Sequence, residues 1–532
     1  PRRSQTAARA AIHLQPRPGE DVTILAGIIN IIIANGWHDA AFVDENVSGF
    51  DDLARAVSGF TPAYVAERAD LPEAQLLSAA ELFATHGTKR GMVNAGTGAN
   101  FAMHGNLVEY LCLCLTTICG RWQRAGEKVT RPNALLPAFT AKAQAHPPYE
   151  GWGYGERLRV RGLTDAVCGM PTAALADEIL LEGDGQVKAL ICIGGNPMAA
   201  WPDQRKTHRA LQSLELLVTL DTEMSLTSRL ADYVIAPMMQ METPAMTMGS
   251  ELIKYYTSGT GIPAAYAQYT PRLVDPPPGS DLIEEWKFFL GLTKRMDLEL
   301  WFVNFFGGGG GKFMESPPIV LQMTGDTELS TEELFEQMCA TSRIPLDEVR
   351  RHPHGAIFDV DAVVQERDAD STARLDVGNG YMLAALETVL DEEAEGARGD
   401  AAFPFRLIPR RHPNFMNSSG TALAALNRGK PYNPVYMHPD SAAELGLRPG
   451  SSVLVTSRHD CVPAVLEADD SVRLDVVAMH HAFGGLPDED DEFRAHGTNV
   501  GRLVSTEVDY DPITGLPRQG NIAVRIAPLG QG

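Results

Sequence analysis

Apolar positions along the chain fall into three regimes. Up to about residue 120 they form helical runs. Ile24–Ala34 (ILAGIINIIIA) predicts a buried helix, with Asp21 near its start and Gly36 just past its end. Ala74–Gly87 (AQLLSAAELFATHG) and Leu107–Gly120 (LVEYLCLCLTTICG) predict two more. Farther on, helical patterns alternate with short apolar runs, Val187–Ile193 and Leu216–Leu220. That alternation predicts α/β layers with a largely parallel sheet. After residue 400, short β-rich runs dominate: Phe405–Ile408, Ser452–Thr456, Val462–Leu466, Val472–Met479 and Ile522–Ile526. They predict a terminal β-barrel of double-psi-like type. One short helix, Ser441–Leu445, fits between Asp440 as N-cap and Gly446 at C′.

Composition breaks divide these regimes. A helical run gives way to glycine-rich sequence at Thr88–Gly91, and a proline cluster stands at Asp275–Gly279, followed by Gly307–Gly311. The acidic segment Asp391–Asp400 has little to bury and reads as a linker. The expected organisation is the remainder of an α/β nucleotide-binding domain at 1–90, then a second α/β domain with insertions at 91–390. The linker 391–400 and the barrel at 401–532 follow. A chain of 532 residues has room for about three or four domains.

Charge narrows the partners. With 45 Lys and Arg against 68 Asp and Glu, the net charge is −23, which repels nucleic-acid backbones. Ile24–Ala34 is about half the ~20 residues of a membrane span and contains Asn30. No secretory signal is visible, and the first residue is Pro1, so the sequence reads as part of a larger protein. That leaves the compartment open between cytoplasm and periplasm. Seven cysteines, none in C-x-x-C spacing, read as core packing.

Candidate chemistry begins by elimination. Gly307–Lys312 lacks the spacing and the Ser or Thr of a phosphate loop, because Phe313 follows the lysine. His352, His354, His480 and His481 lack the spacing of a zinc site. More informative are strand ends followed by small residues: Gly194-Gly195-Asn196 after one apolar run and Asp221-Thr222 after the next. Gly96-Thr97-Gly98 reads as a third such end. Ligands of open α/β sheets sit at the carboxyl ends of strands, so three ends in one layer suggest an extended nucleotide-like ligand.

The order of motifs resembles the molybdopterin oxidoreductases of the dimethyl sulfoxide reductase group. Pro1–Ala7 (PRRSQTA) and His13–Asp21 (HLQPRPGED) are similar to that family's D-P-R-R-x-x-T-A and R-P-G-T-D. The resemblance continues through Gly194–Pro197 (GGNP), Asp221-Thr222 and Ala231–Pro237 (ADYVIAP). In the last domain it covers Tyr432–Asp440 (YNPVYMHPD), Leu445–Leu447 (LGL) and Asp509–Pro517 (DYDPITGLP). It implies a bis(molybdopterin guanine dinucleotide) cofactor with molybdenum or tungsten. By the same resemblance Glu20, Asp21, Asp221 and Asp281 stand where guanine or ribose would be bound, and Arg2 and Arg3 near diphosphate. Gly96, Gly98, Gly195 and Asn196 would border the nucleotide. Arg410, Arg411, Asn417 and Ser418 resemble the loop that wraps the pterins. Asn499 and Arg502 match an N-x-N-[KR]-L segment, in which Gly501 replaces the second asparagine.

A forked aspartate–guanine pair is sound chemistry, since one carboxylate can accept N1–H and the exocyclic amine together. In relatives the metal-ligating residue and the four-cysteine loop of a 4Fe-4S cluster lie upstream of D-P-R-R, so no catalytic residue and no metal ligand is named here. The implied function is two-electron redox chemistry on a small substrate, with an electron-transfer subunit as partner. The alternatives are a non-redox hydratase of the same fold, like acetylene hydratase, and a cofactor-free structural homologue like the one in respiratory complex I.

Overall fold

The computed structural model describes residues 1–86, 91–130, 133–138, 140–147, 151–154, 157–166, 169–249, 264–304, 319–324, 327–392 and 401–530. The Gly307–Gly311 run, Cys168 and residues 393–400 of the acidic segment lie outside these.

The N-terminal regime folds as helices: α1 (Asp21–Ala34), α2 (Phe50–Val57), α3 (Pro62–Ala69), α4 (Glu73–Thr85), α5 (Thr97–Asn100) and α6 (Gly105–Ile118). Helix α1 packs on α2, α3, α4 and α6. Its isoleucines Ile29, Ile31 and Ile32 enter a core with Leu53, Phe60, Val65, Leu76, Leu111 and Ile118. Leu386 and Val389 of the helix Gly380–Asp391 complete that core, which therefore runs across residue 90. Extended chain is sparse here, a two-residue strand Val47–Ser48 paired with Leu375–Asp376. Five cysteines (112, 114, 119, 192 and 339) are buried as expected, whereas Cys461 is half-buried.

A buried ion pair locks this unit. Arg68 Nε donates to Glu20 Oε2 at 2.8 Å, and Thr23 Oγ1 donates to the same oxygen at 2.6 Å. Arg68 Nη1 also reaches the Val389 and Glu392 carbonyls at 2.7 and 2.9 Å. One guanidinium thus ties α1 and α3 to the start of the acidic segment.

The second regime holds a parallel sheet, β1 (Ala189–Ile193), β2 (Leu216–Leu220) and β3 (Tyr233–Ile235), in that order. Ala189 lies opposite Leu216, and Val218 opposite Tyr233. Helices α7 (Thr172–Leu180), α8 (Pro197–Ala200) and α9 (Gln204–Ser213) accompany it. Cys192, Met198, Leu211 and Leu217 share one cluster with Leu486 of the C-terminal unit.

The third regime is the expected barrel, closed by six strands in the order β4-β8-β5-β7-β6-β9. They are β4 (Phe405–Arg410), β5 (Pro434–Met437), β6 (Ser452–Ser457), β7 (Cys461–Ala468), β8 (Val476–His480) and β9 (Ile522–Pro528). Two of the pairings, β4 with β8 and β5 with β7, are parallel. Alternation buries Val453, Val455, Val462, Ala464, Leu466, Val477, Met479, Val524 and Ile526 in the lumen.

Two local expectations need correction. The run Val472–Met479 is a strand only from Val476, because Val472 bridges the backbone of Arg2 instead. The short helix is Pro439–Glu444 and its N-cap is His438, whose Nδ1 accepts the Asp440 amide, so Asp440 lies inside the first turn. Its exit is as expected. Gly446 (φ +68°) and Leu447 return their amides to Ala443 and Ala442, the paired bonds of a Schellman motif.

Candidate functional site: a cleft between sheet and barrel

A cleft of about 310 Å³ lies between the sheet and the barrel. Asn196, Glu223, Ser225 and Arg229 line it from the sheet side; Ser418, Phe483, Gly485, Glu489 and His496 line it from the barrel side.

The chain leaving the carboxyl ends of β1 and β2 lines this cleft. After β1, Asn196 Oδ1 accepts the Thr227 amide at 3.2 Å and hydroxyl at 2.9 Å, which fastens the turn to the β2–β3 connection. A Cβ at the neighbouring Gly195 would meet only the Ile193 carbonyl, at 3.8 Å. After β2, Asp221 accepts the Glu223 amide at 3.3 Å and the Ser228 hydroxyl at 3.4 Å. Burial, and then repulsion from Asp221, raises the pKa of Glu223. Beyond β3, Pro237 bridges Ile283 in parallel, placing the exposed Asp281 segment at the same end of the sheet.

Gly96 and Gly98 stand elsewhere. Among the described residues no strand directly precedes them; they open α5, so the expected third strand end is a helix start there. A Cβ on either would have open space around it. The barrel's last loop packs alongside, with the Gln519 and Gly520 amides both donating to the Phe101 carbonyl at 2.9 and 3.1 Å. Asp21 is the first residue of α1 and Glu20 the N-cap. Burial raises the pKa of Asp21, whose carboxylate also meets its own backbone amide.

The arginines separate by role. Arg410, at the end of β4, donates to Asp469 Oδ2 at 2.6 Å and lies 3.8 Å above the Tyr436 ring. Arg2 approaches the same group; its Nε is buried without a partner, and burial beside Arg410 lowers its pKa. Arg3 is exposed and anchored by its amide on the Ser471 carbonyl. In the loop after β4, Arg411 donates to the side chain of Asn417, a residue at φ +55°. The Ser418 carbonyl accepts the Thr421 hydroxyl at 2.9 Å.

Three predicted residues have protein partners in the structure. Glu20 holds Arg68. Asn499 donates to the Ala199 carbonyl at 2.8 Å and accepts the Gly501 amide at 2.7 Å. Arg502, 1% exposed, forks onto Asp490 at 3.0 and 2.6 Å. At Gly501, a Cβ would press on Asn499 Oδ1 and the Trp201 carbonyl at 3.0 and 3.1 Å, so glycine suits that turn.

Sequence reasoning missed Glu223, Arg229 and a ring cluster below the β4 loop. His412 stacks on Phe415 at 4.1 Å and meets His480 edge-on at 4.9 Å. His480 Nε2 lies 3.3 Å from the Tyr436 hydroxyl, while its buried Nδ1 has no partner. Burial, with His412 and Arg410 nearby, pushes its pKa down to about 3, so this imidazole is neutral near pH 7. His412 and His480 are 68 positions apart and only the barrel unites them, so no spacing signal could have found them.

Comparison with known proteins is consistent with this geometry. Residues 1–253 match the profile of the molybdopterin oxidoreductases, and residues 405–523 that of the molydopterin dinucleotide binding domain. F420-dependent formate dehydrogenase 2 subunit alpha of Methanococcus maripaludis is 25% identical over 521 residues, 91% of this chain and 66% of the relative. Acetylene hydratase of Syntrophotalea acetylenica is 23% identical over 521 residues, 90% of this chain and 65% of the relative. The chain thus spans about two thirds of the length of these relatives. The solved structure of acetylene hydratase from Pelobacter acetylenicus superposes with a TM-score of 0.73 at 18% identity, covering 99% of this chain and 73% of that one. The chain belongs to the molybdopterin oxidoreductase family, and its barrel is that family's dinucleotide-binding domain.

Proposed function

We propose that this chain forms the nucleotide-holding part of a molybdenum or tungsten oxidoreductase that acts on a small substrate by two-electron chemistry. The observation that carries this reading is the cleft itself, where strand ends of a parallel sheet face a loop-rimmed barrel across about 310 Å³. The residues suit a bis(molybdopterin guanine dinucleotide). The buried Nδ1 of His480 and Nε of Arg2 have no partner, and unfilled donors and acceptors of that kind are what a polar ring system would satisfy. Open space beside Gly96 and Gly98, and only a 3.8 Å carbonyl contact at Gly195, admit a ligand close to backbone.

In this reading Asp221 and Glu223 accept donors from a guanosine, and Asp21 does so at a second one. Arg2, Arg3 and Arg411 offer charge to diphosphate, with Arg410 held ready by Asp469. Asn417 and Ser418 supply polar contacts to a pterin, and Asp281 lies within reach of the same sheet end. When bound, the cofactor supplies the redox change at its metal. The protein's share is orientation and exclusion of water. Electrons would pass to an iron–sulfur cluster and a partner subunit. The measurement is metal and nucleotide content of the complete protein. About one molybdenum or tungsten and two acid-releasable GMP per chain are expected; stoichiometric protein with neither would leave the structural homologue as the better reading.

A further inference from the structure

Arg229 and Glu489 meet across the cleft, one from each unit. Arg229 belongs to the turn Ser228–Leu230 that follows β2, and Glu489 precedes the turn Asp490–Glu492 of the barrel. Arg229 Nη1 lies 3.3 Å from Glu489 Oε2, and Nη2 pairs with the other oxygen, so the contact is forked.

The two ends are anchored unequally. Glu489 Oε2 also accepts the Leu486 amide at 2.9 Å, and His496 Nε2 stands 3.8 Å away. Gly485 leaves room for that carboxylate, since a Cβ there would come within 2.7 Å of it. Among the described residues, both side-chain hydrogen bonds of Arg229 run to Glu489, and its side chain is 41% exposed. The guanidinium can therefore turn while the carboxylate stays.

Charge gives that motion a purpose. Glu223, Glu489 and Glu492 all line the cleft, and Arg229 is the arginine among its lining residues. A phosphate entering there meets net repulsion unless Arg229 is released to it. Guanidinium forks onto phosphate as readily as onto carboxylate.

We propose that Arg229 is a partner-exchanging strap, bridging sheet to barrel through Glu489 and transferring to a phosphate of the dinucleotide as that ligand enters. The proposal rests on the dinucleotide reading above and adds a residue to it.

The test uses guanosine diphosphate as probe and the cofactor-free complete protein, with affinity read by calorimetry. Glu489→Gln removes the competing charge and should tighten binding severalfold. Arg229→Gln removes the phosphate partner and should weaken it about tenfold, the usual scale for a charged hydrogen bond. If Glu489→Gln leaves the affinity unchanged or weakens it, that carboxylate does not hold the guanidinium back from the phosphate, and that result overturns the exchange. A second measurement needs no ligand. Ser225→Cys places a thiol in the cleft, and its modification by a small maleimide, followed by mass spectrometry at that position, should be faster when either Gln variant is added. Equal rates overturn the strap. If the unmodified protein ignores guanosine diphosphate, the dinucleotide reading fails, while the labelling rates still decide whether the bridge holds the cleft closed.

Discussion

At the scale of single residues, burial separates packing groups from ligand groups. Arg502 is almost wholly enclosed and forks onto Asp490, whose side chain is 33% exposed. Arg502→Leu should cost about 3 kcal/mol, the low end for breaking a buried pair, because water reaches the stranded carboxylate. Arg502→Lys keeps charge but not the fork and should recover only part. Denaturant melts of the complete protein check both, and a primarily ligand-binding Arg502 would instead lower metal content at unchanged stability. Asp21 calls for the reverse pattern. Burial raises its pKa, so the ionised form opposes folding above the ordinary value of 3.8. Asp21→Asn should therefore leave the cofactor-free melt near pH 7 unchanged or slightly higher. Cofactor affinity should fall by about 2–4 kcal/mol, since an amide offers a donor to a donor. Metal content and apo-form melting decide it, and undiminished metal would remove Asp21 from the guanine site.

At the scale of elements, the contact between α9 and the β6–β7 hairpin is built from charge. Asp203, N-cap of α9, accepts the Lys206 amide at 3.1 Å and pairs with His459 Nε2 at 3.1 Å. Lys206 reaches Asp177 at 3.1 Å, the Thr506 hydroxyl at 2.9 Å and Glu507 at 3.1 Å, while Arg205 pairs with Asp460 at 2.6 Å. Asp203 raises the pKa of His459 above 6.5, so that share of stability is full below 6.5 and is lost as pH rises through the raised value. His459 and Lys206 help hold Asp203 below 3.8, so its share is present above 3.8 and is lost as pH falls through the lowered value. Melting against pH should show the pair most effective between about 3.8 and 6.5, and His459→Gln should flatten the upper side. A neighbouring turn is stricter. Gly484 sits at φ +125°, and a Cβ there would fall 2.3 Å from the Thr498 carbonyl carbon, so Gly484→Ala should cost well over ~1 kcal/mol and distort the cleft wall. Periodicity made α1, β2, the barrel strands and the Gly446 exit legible, because each is decided by neighbours in sequence. Gly96 misled because a glycine-rich turn looks alike before a helix and after a strand. Glu223 drew no notice because its partner is a cleft and not a motif, and Arg229 because Glu489 is 260 positions away.

At the scale of the whole molecule, among the described residues no further strand pairs beside β1 or beside Tyr233–Ile235 of β3. Ile193 is 49% exposed on β1 and Tyr233 63% exposed on β3, where parallel sheets are ordinarily covered. The 532-residue chain should therefore self-associate, and more so as salt screens its net charge of −23. Sedimentation velocity checks this; Ile193→Lys with Tyr233→Lys should shift the distribution toward monomer. The barrel is the opposite case. Its first strand, β4, lies antiparallel to its last, β9, with Phe405 opposite Val524, so no edge is left. A segment cut at 401 and 530 consequently begins and finishes on adjacent strands, and could be grafted into a surface loop of an unrelated host as a single cassette. Such a graft would carry Arg410, Asn417, Ser418 and His480 but not Asp221 or Arg229. The two walls of the cleft could then be produced as separate reagents and recombined in a tube.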